Sequence, residues 1–192
     1  MLLSVIMSVE RMKIMNDDLK TIEYVLSGKK YHFATIMEKY HNEIFSFVFN
    51  MLGQYQDTED ILQDIFLKVF KNLKKYNSEK ASFRTWLYRI ANNETINYLK
   101  SAQVRYKTTS ELDTSRLVSA EDIENQAIHD EDINQVISIM KKVLSSKHQK
   151  IMMLHYFSNL TVKDIGHVME IPEKTIYKAL KSSVEKIKKE VQ

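Results

Sequence analysis

The scarcity of glycine and proline limits what this chain can fold into more than any other feature of its sequence. Among 192 residues there are three glycines, one proline and no cysteine. All-β folds need both Gly and Pro in their turns, so an all-α fold is expected. The same composition leaves no Gly-rich loop for nucleotide phosphates. The absence of cysteine excludes a disulfide scaffold, a thiolate metal site and a cysteine nucleophile, and it fits a reducing cytoplasm.

The charged residues are unevenly distributed, although the formal net charge is only +3. Residues 1–82 carry 11 basic and 11 acidic side chains, whereas residues 83–107 carry five basic side chains and one acid. Residues 111–132 hold eight acids and one base, and residues 141–192 hold eleven lysines and five acids. An acidic segment poor in aromatic residues is typical of a solvated linker. Basic segments on both sides of it indicate a polyanionic partner that the chain contacts twice.

Apolar residues recur at helical spacing before residue 100, which predicts a bundle of amphipathic helices. Gly28 and Gly53 follow the first two of these helices, where glycine commonly ends a helix. Asp57 is placed to cap the third helix. The predicted helices span residues 17–26, 33–52, 57–76 and 82–100.

Beyond residue 130 the same periodicity predicts further helices, the last two of which match a helix-turn-helix. Thr161 can cap the first helix of this pair with Asp164, three residues on. Pro172 suits the start of the second helix, because proline is tolerated only in a first turn. The predicted helices span residues 133–144, 147–157, 161–169 and 173–190.

These patterns predict two small helical domains joined by an acidic flexible linker. The apolar stretch near the N-terminus is far shorter than the roughly 20 residues of a membrane span, and no cleavage site follows it. A cytoplasmic protein is therefore expected. The predicted parts are a flexible extension over residues 1–15, a helical bundle over 16–100, a linker over 101–130 and a helix-turn-helix domain over 131–192.

The last predicted helix has the pattern of a DNA recognition helix. With its apolar positions inward, the outward residues near its N-terminus combine ammonium groups with a hydroxyl and a phenol. Such groups can bind phosphates and base edges. A solvated lysine-rich face would have the same pattern. The outward residues are Lys174, Thr175, Tyr177, Lys178 and Lys181.

A polar row on the 82–100 helix is a second candidate nucleic-acid surface. Arg89, Asn93, Asn97 and Lys100 recur at helical spacing, so that cations can hold phosphates while amides meet base edges. Tyr88 is expected to point outward, whereas Trp86 is expected in the core. An ordinary polar helix face is the alternative interpretation.

Acidic and amide side chains form the outward face of the 57–76 helix. Asp60, Gln63 and Asp64 lie opposite its apolar stripe, with lysines in the later turns. This order also suits the helix macrodipole, so the sequence pattern alone does not assign these residues a role.

Pairs of acidic and histidine residues at helical spacing raise the possibility of a helical-bundle metal site. Glu38 and His41 form one such pair and Asp164 and His167 another. A di-iron bundle needs two such motifs together with inward glutamates from two more helices, and the second pair falls in the predicted helix-turn-helix. We therefore expect no metal, no cofactor and no enzymatic activity.

Two segments of the first domain resemble a known family. Residues 57–70 and the run FRTWLYRIANN at residues 83–93 resemble conserved region two of the extracytoplasmic-function sigma factors, which are promoter-specificity subunits of bacterial RNA polymerase. Residues 160–166 and 171–176 resemble region four of the same family. The resemblance covers roughly residues 17–100 and 131–190, and the acidic segment falls at the family's linker between the two regions.

The resemblance implies a role for each surface. Asp60, Gln63 and Asp64 match the face that docks on the clamp helices of the largest polymerase subunit. The loop from Tyr76 to Phe83 and the neighbouring helix match the part that captures unpaired promoter bases, and the second domain matches the binder of the distal promoter element and of the polymerase flap. We accordingly predict that the first domain contacts DNA through Arg84, Tyr88, Arg89, Asn93, Asn97 and Lys100.

The chain departs from the family pattern in its last helix. Several arginines of the family are replaced by Lys, Ala or Ser, and a lysine lacks the bidentate fork of a guanidinium. A stand-alone helix-turn-helix regulator is the alternative function, against which the region-two resemblance argues. The resemblance leaves open whether an anti-sigma factor, membrane-bound or not, is a further partner.

Overall fold

The computed structural model of the chain describes residues 17–108 and 131–191, with the side chains of residues 17–101 and 135–191. Within those ranges there is no strand, which confirms the all-α fold. None of the described helices is both long and apolar enough to cross a membrane. The expected extension over residues 1–15 and most of the expected linker lie outside the described residues.

The first domain is a bundle of helices packed around one apolar core. Helix α2 contacts α3 and α4, and α3 contacts α4. Their facing sides bury aliphatic and aromatic side chains such as Ile44, Leu62, Ile65, Phe83 and Leu87, each of which stabilises the fold by about 1.5–3 kcal/mol. The helices are α1 over residues 17–26, α2 over Phe33–Leu52, α3 over Tyr55–Asn72 and α4 over Phe83–Thr108.

Two helix boundaries of this domain differ from the sequence prediction. Helix α3 begins at Tyr55 with Gln54 as its N-cap residue, so the predicted cap at Asp57 was wrong. The chain turns earlier because the backbone amide and hydroxyl of Thr58 both donate to the Gln54 carbonyl, at 3.1 and 2.6 Å. Helix α4 continues past Lys100 to Thr108, because the residues after Lys100 include good helix formers and no glycine or proline.

The second domain contains the predicted helix-turn-helix. Its helices are α5 over Glu131–Val143, α6 over Ser146–Met152, α7 over Val162–Met169 and α8 over Glu173–Val191, with a π-helical turn over Met153–Phe157 after α6. The predicted capping box is confirmed: the Asp164 amide donates to Thr161 Oγ1 at 3.1 Å, and the Thr161 amide donates to Asp164 Oδ2 at 3.3 Å. Glu170 then reverses the chain in a left-handed conformation with φ 56°, and Pro172 precedes α8.

The two domains are in direct contact, which the sequence did not predict. Helix α7 packs against α4 of the first domain. This contact places the turn after α6 and the turn after α7 beside the predicted DNA-binding segment of α4.

Candidate polymerase and nucleic-acid interface

Helix α3 exposes the acidic face that the sequence predicted. Asp60, Gln63 and Asp64 are exposed, whereas Ile61 and Ile65 on the opposite side are buried. None of the ion pairs among the described residues involves Asp60 or Asp64. Leu67, one turn further along the same face, is 50% exposed. An unpaired acidic edge beside an exposed leucine is suited to a basic and apolar protein surface.

The outer row of α4 comprises Arg89, Asn93, Asn97 and Lys100, and all four residues are exposed, as predicted. Asn93 and Asn97 therefore present both amide donors and carbonyl acceptors to the solvent. The Arg89 guanidinium forms an ion pair with Glu170 at the C-terminal end of α7. The two exposed amides of the outer row therefore lie between two cations. Arg89 is ion-paired, whereas Lys100 has no ion pair among the described residues.

The prediction that Tyr88 points outward was wrong. Its side chain is completely buried, with its ring edge-on to Phe47 of α2 at a centroid distance of 5.3 Å. Burial, followed by the charge of Glu43, raises the pKa of the Tyr88 phenol. The helical spacing predicted only which side of α4 faces its own domain, whereas Tyr88 lies where α4 also faces the second domain. In this arrangement Tyr88 cannot stack on a DNA base.

Arg84 is only partly accessible, because it bridges the two domains. Its Nε donates to Glu43 Oε1 at 2.7 Å, and its Nη2 donates to the Ser158 carbonyl at 2.5 Å. The guanidinium also lies 5.5 Å from the centroid of the Tyr88 ring. Burial opposes the charge of Arg84, but the hydrogen bond and the charge of Glu43 outweigh it and raise the pKa of the guanidinium.

The loop between α3 and α4 is a compact turn anchored by aromatic packing. The Tyr76 ring packs against Phe83 and Trp86 at centroid distances of 5.6 and 5.4 Å, and its hydroxyl donates to the Ala81 carbonyl at 3.2 Å. Burial and the charge of Asp18 raise the pKa of Tyr76 to about 12. Trp86 is partly buried against the core, as predicted. The loop residues 77–80 are exposed, so their polar groups are available to a ligand.

The N-terminal half of α8 presents the predicted basic face. Ile176 and Leu180 are buried on the inner side. Tyr177 is 61% exposed on the outer side. Among the described residues no ion pair involves the exposed lysines of this face. This face can therefore offer ammonium groups to phosphates and a phenol to a base edge. The predicted residues that are exposed are Lys174, Tyr177, Lys178 and Lys181, and Thr175 is partly exposed.

A cavity of about 290 Å³ lies between the domains, with α2 and α4 on one side and α5 and α6 on the other. Its lining combines apolar side chains, among them Met51, Leu99 and Met140, with polar ones such as Lys141 and Gln149. Burial, and then the charge of Lys100, lower the pKa of Lys150 in this lining. A half-buried ammonium group among apolar side chains favours a ligand that carries both acidic and apolar groups.

The acidic and histidine pairs do not form a metal site in the described part of the chain. No group of three or more potential ligands comes together among the described residues. The Asp164 carboxylate is already an acceptor for the hydroxyls of Thr161 and Thr85, at 2.6 and 2.9 Å.

Sequence reasoning missed the polar groups at which the domains meet. Thr85, Ser158 and Glu170 carried no signal in the sequence, because a contact between two domains leaves no local periodicity. Asp164 was identified as a capping residue and as a member of an acidic–histidine pair, but not as an interdomain contact. It also accepts the Thr85 hydroxyl from α4 at 2.9 Å.

Comparison with known proteins assigns both domains to one family. Residues 36–105 match the family model of sigma-70 region 2, and residues 142–189 match sigma-70, region 4. The chain is 28% identical to the ECF RNA polymerase sigma factor SigW of Bacillus subtilis over 179 residues, which cover 90% of this chain and 95% of SigW. It is 26% identical to the ECF RNA polymerase sigma-E factor of Escherichia coli K12 over 182 residues, which cover 89% of this chain and 92% of that protein.

Solved structures share the fold. The structure of CnrH, determined with the cytosolic domain of CnrY, superposes with a TM-score of 0.66 at 16% identity and covers 89% of this chain and 94% of CnrH. The sigma factor RpoE of Bartonella quintana, determined with the anti-sigma factor NepR, also has a TM-score of 0.66, at 15% identity, and covers 82% of this chain and 94% of RpoE. The match to region 2 rules against a stand-alone helix-turn-helix regulator, which would lack it. With both conserved regions present in order and relatives aligned over nearly its whole length, the chain belongs to the sigma-70 family and is an extracytoplasmic-function sigma factor of bacterial RNA polymerase.

Proposed function

We propose that this sigma factor divides promoter-dependent initiation among three surfaces. The acidic face of α3 binds the clamp helices of the largest polymerase subunit, the outer row of α4 and the loop before α4 bind the opened promoter, and α8 binds the distal promoter element. The observation that supports this division best is the exposure of Asp60, Gln63 and Asp64 without ion-pair partners on a helix whose other face is buried.

Binding to core polymerase is tested by reversing the acidic face of α3. We expect Asp60→Lys and Asp64→Lys, combined with Gln63→Ala, to abolish pull-down of core polymerase. The fold should be retained, since exposed substitutions usually change stability by less than about 0.5 kcal/mol. A matched control is Glu23→Lys with Glu38→Lys, two exposed acids elsewhere in the same domain. Unchanged binding by the triple variant, with circular dichroism like that of the parent, would contradict this assignment.

The outer row of α4 is proposed to act when the promoter opens. Unstacking and unpairing a base costs a few kcal/mol, so an opened base needs a site that compensates part of that cost. The exposed amides of Asn93 and Asn97 can offer both a donor and an acceptor to such a base, while Lys100 can hold the phosphate backbone.

Promoter opening is measured by permanganate reactivity of thymines in the holoenzyme complex. We expect Asn93→Ala and Asn97→Ala to reduce open complexes while leaving core binding unchanged, and a template already mispaired at the start region to restore transcription only partly. Asn42→Ala, an exposed asparagine on α2, is the matched control. If both variants open the promoter as the parent does, base capture belongs to the loop before α4.

The basic face of α8 is proposed to bind the backbone of the distal promoter element. Each phosphate contact contributes about 0.9 to the slope of log affinity against log salt concentration. We expect Lys178→Ala and Lys181→Ala to lower that slope for the holoenzyme. Tyr177→Ala should instead change the preferred base at one position. Lys186→Ala and Lys189→Ala, on later turns of the same helix, are matched controls. If all four lysine variants have the same salt-dependence slope, the basic face does not bind the distal element.

Further properties follow as proposals from membership in the family. The sigma factor acts in the cytoplasm without a catalytic step of its own. Its functional domains are residues 16–100 and 131–192, and residues 101–130 connect them. A partner with acidic and apolar groups, such as an anti-sigma factor, would suit the cavity between the domains, where Lys150 lies among apolar side chains. A membrane-bound form of that partner stays a prediction.

A further inference from the structure

Three polar contacts join α4 of the first domain to the second domain. Arg84 Nη2 donates to the Ser158 carbonyl at 2.5 Å, Thr85 Oγ1 donates to Asp164 Oδ1 at 2.9 Å, and the Arg89 guanidinium pairs with the Glu170 carboxylate. We call these three contacts the α4–α7 latch. Two of its members, Arg84 and Arg89, are also predicted to contact promoter DNA.

We propose that the α4–α7 latch is an autoinhibitory contact, in which the second domain occupies the arginines of α4 and so competes with promoter DNA for them. This inference depends on the proposed DNA role of α4. The Arg89 N–H group that donates to Glu170 cannot donate to a phosphate at the same time, and the Glu170 carboxylate would repel that phosphate. Arg84 is likewise held between Glu43 and Ser158. Separation of α7 from α4 would release Arg89, and it would free Arg84 Nη2 from the Ser158 carbonyl while the ion pair of Arg84 with Glu43 of α2 remains.

The interface has the composition of a contact that opens readily. Thr85, Tyr88 and Asn92 form one row of α4 at helical spacing, and all three are buried. The Tyr88 hydroxyl has no well-formed hydrogen bond among the described residues, although Ser158 and Glu43 lie close enough to shift its pKa. A buried hydroxyl without a good partner is destabilising, and water would satisfy it when the domains separate. The Arg89–Glu170 pair is half-exposed, so salt weakens it.

The latch affects only part of the proposed DNA surface. Asn93, Asn97 and Lys100 stay exposed while the latch is closed. The closed chain can therefore present its amides and Lys100, but Arg89 at the other end of the outer row is paired and not available to hold the backbone. Opening is expected to increase the affinity for any single-stranded DNA, because the released Arg89 binds phosphates of every sequence.

The test removes latch groups that have no proposed DNA or polymerase role. Thr85→Val keeps the side-chain shape but loses the hydroxyl that donates to Asp164. Glu170→Gln removes the partner charge of Arg89. The matched control is Thr35→Val with Glu185→Gln, which removes one hydroxyl and one carboxylate from exposed positions away from the interface. All variants are studied as the full chain without polymerase.

Two measurements are made on each variant: the radius of gyration from small-angle X-ray scattering, and the affinity for a fluorescein-labelled single-stranded DNA of mixed sequence. We expect the double latch variant to have a larger radius of gyration and to bind the DNA at least about tenfold more tightly than the parent, as the loss of one hydrogen bond to a carboxylate and one exposed ion pair predicts. The control should resemble the parent in both measurements.

An unchanged radius of gyration would overturn the latch itself. An increased radius without tighter DNA binding would overturn its autoinhibitory role. The proposed DNA function of the amides fails by a different result: if Asn93→Ala and Asn97→Ala leave DNA binding unchanged in the opened variant, the amides of the outer row do not bind DNA. The scattering measurement reports on the latch independently of that outcome.

Discussion

Asp18 connects α1 to the rest of the first domain, and its removal should destabilise that domain by about 1–4 kcal/mol. The Tyr40 hydroxyl donates to Asp18 Oδ2 at 2.6 Å, and the Lys39 ammonium lies 2.5 Å from Asp18 Oδ1. The carboxylate is 4% exposed and the Lys39 side chain 32% exposed. In Asp18→Ala, the buried Tyr40 hydroxyl loses this acceptor, which costs about 1–3 kcal/mol. The partly hydrated Lys39 loses at most about 1 kcal/mol.

The single tryptophan makes this prediction measurable in the first domain. Trp86 lies in that domain, so its fluorescence during urea unfolding reports the unfolding of that domain, and the contact with the second domain is common to parent and variants. Asp18→Asn should cost less, about 1–2 kcal/mol, because its amide oxygen can still accept the Tyr40 hydroxyl. In the Tyr40→Phe background, Asp18→Ala should cost about 1–2 kcal/mol less than in the parent. The reasoning is refuted if Asp18→Ala costs under about 0.5 kcal/mol, or costs the same in both backgrounds.

Three further predictions concern a helix end, a helix start and pH. Gly53→Ala should lower the stability of the first domain by about 1–2 kcal/mol, because Gly53 ends α2 in a left-handed conformation with φ 73°. Tryptophan fluorescence during urea unfolding would detect this loss, and an unchanged unfolding midpoint would contradict it. Thr161→Ala should cost about 1 kcal/mol through the lost N-cap of α7, visible as a lower thermal midpoint by circular dichroism, whereas Thr35→Ala on an exposed helix face should have little effect. Burial raises the pKa of Tyr40 and Tyr88 above 10.0, so the folded domain keeps protons that the unfolded chain loses. Its stability should therefore be complete below about pH 10 and should fall as the pH rises further, and Tyr40→Phe should make this fall shallower.

Much of the candidate site could be predicted from local sequence. The exposure of Asp60, Gln63 and Asp64 follows from the apolar stripe on the opposite side of α3, since a helix with one apolar side turns its other side to solvent. The basic face of α8 follows from the same rule. The assignment of these faces to polymerase and DNA came from the family resemblance, because a charged helix face has the same periodicity whether it binds a partner or only water.

What the sequence by itself determined are the properties that depend on neighbours along the chain. Helical periodicity, the Thr161 capping box and the glycine at the end of α2 involve residues within a few positions of one another, and the structure confirms each of them. The predicted start of α3 was two residues too late. The Gln54 carbonyl accepts the first hydrogen bonds of this helix from Thr58, and every residue has a carbonyl, so a search for capping side chains does not detect this start.

Only the tertiary structure decided the environment of α4. Periodicity divides a helix into an apolar and a polar side, but α4 has three environments: its own core, the second domain and solvent. Tyr88, Thr85 and Arg84 lie on the side that meets the second domain, and their partners, such as Asp164 and Ser158, are more than 70 residues away in sequence. No local pattern encodes a contact over that separation. The burial of Tyr88 and the pairing of Arg89 therefore became apparent only when the two domains were placed together.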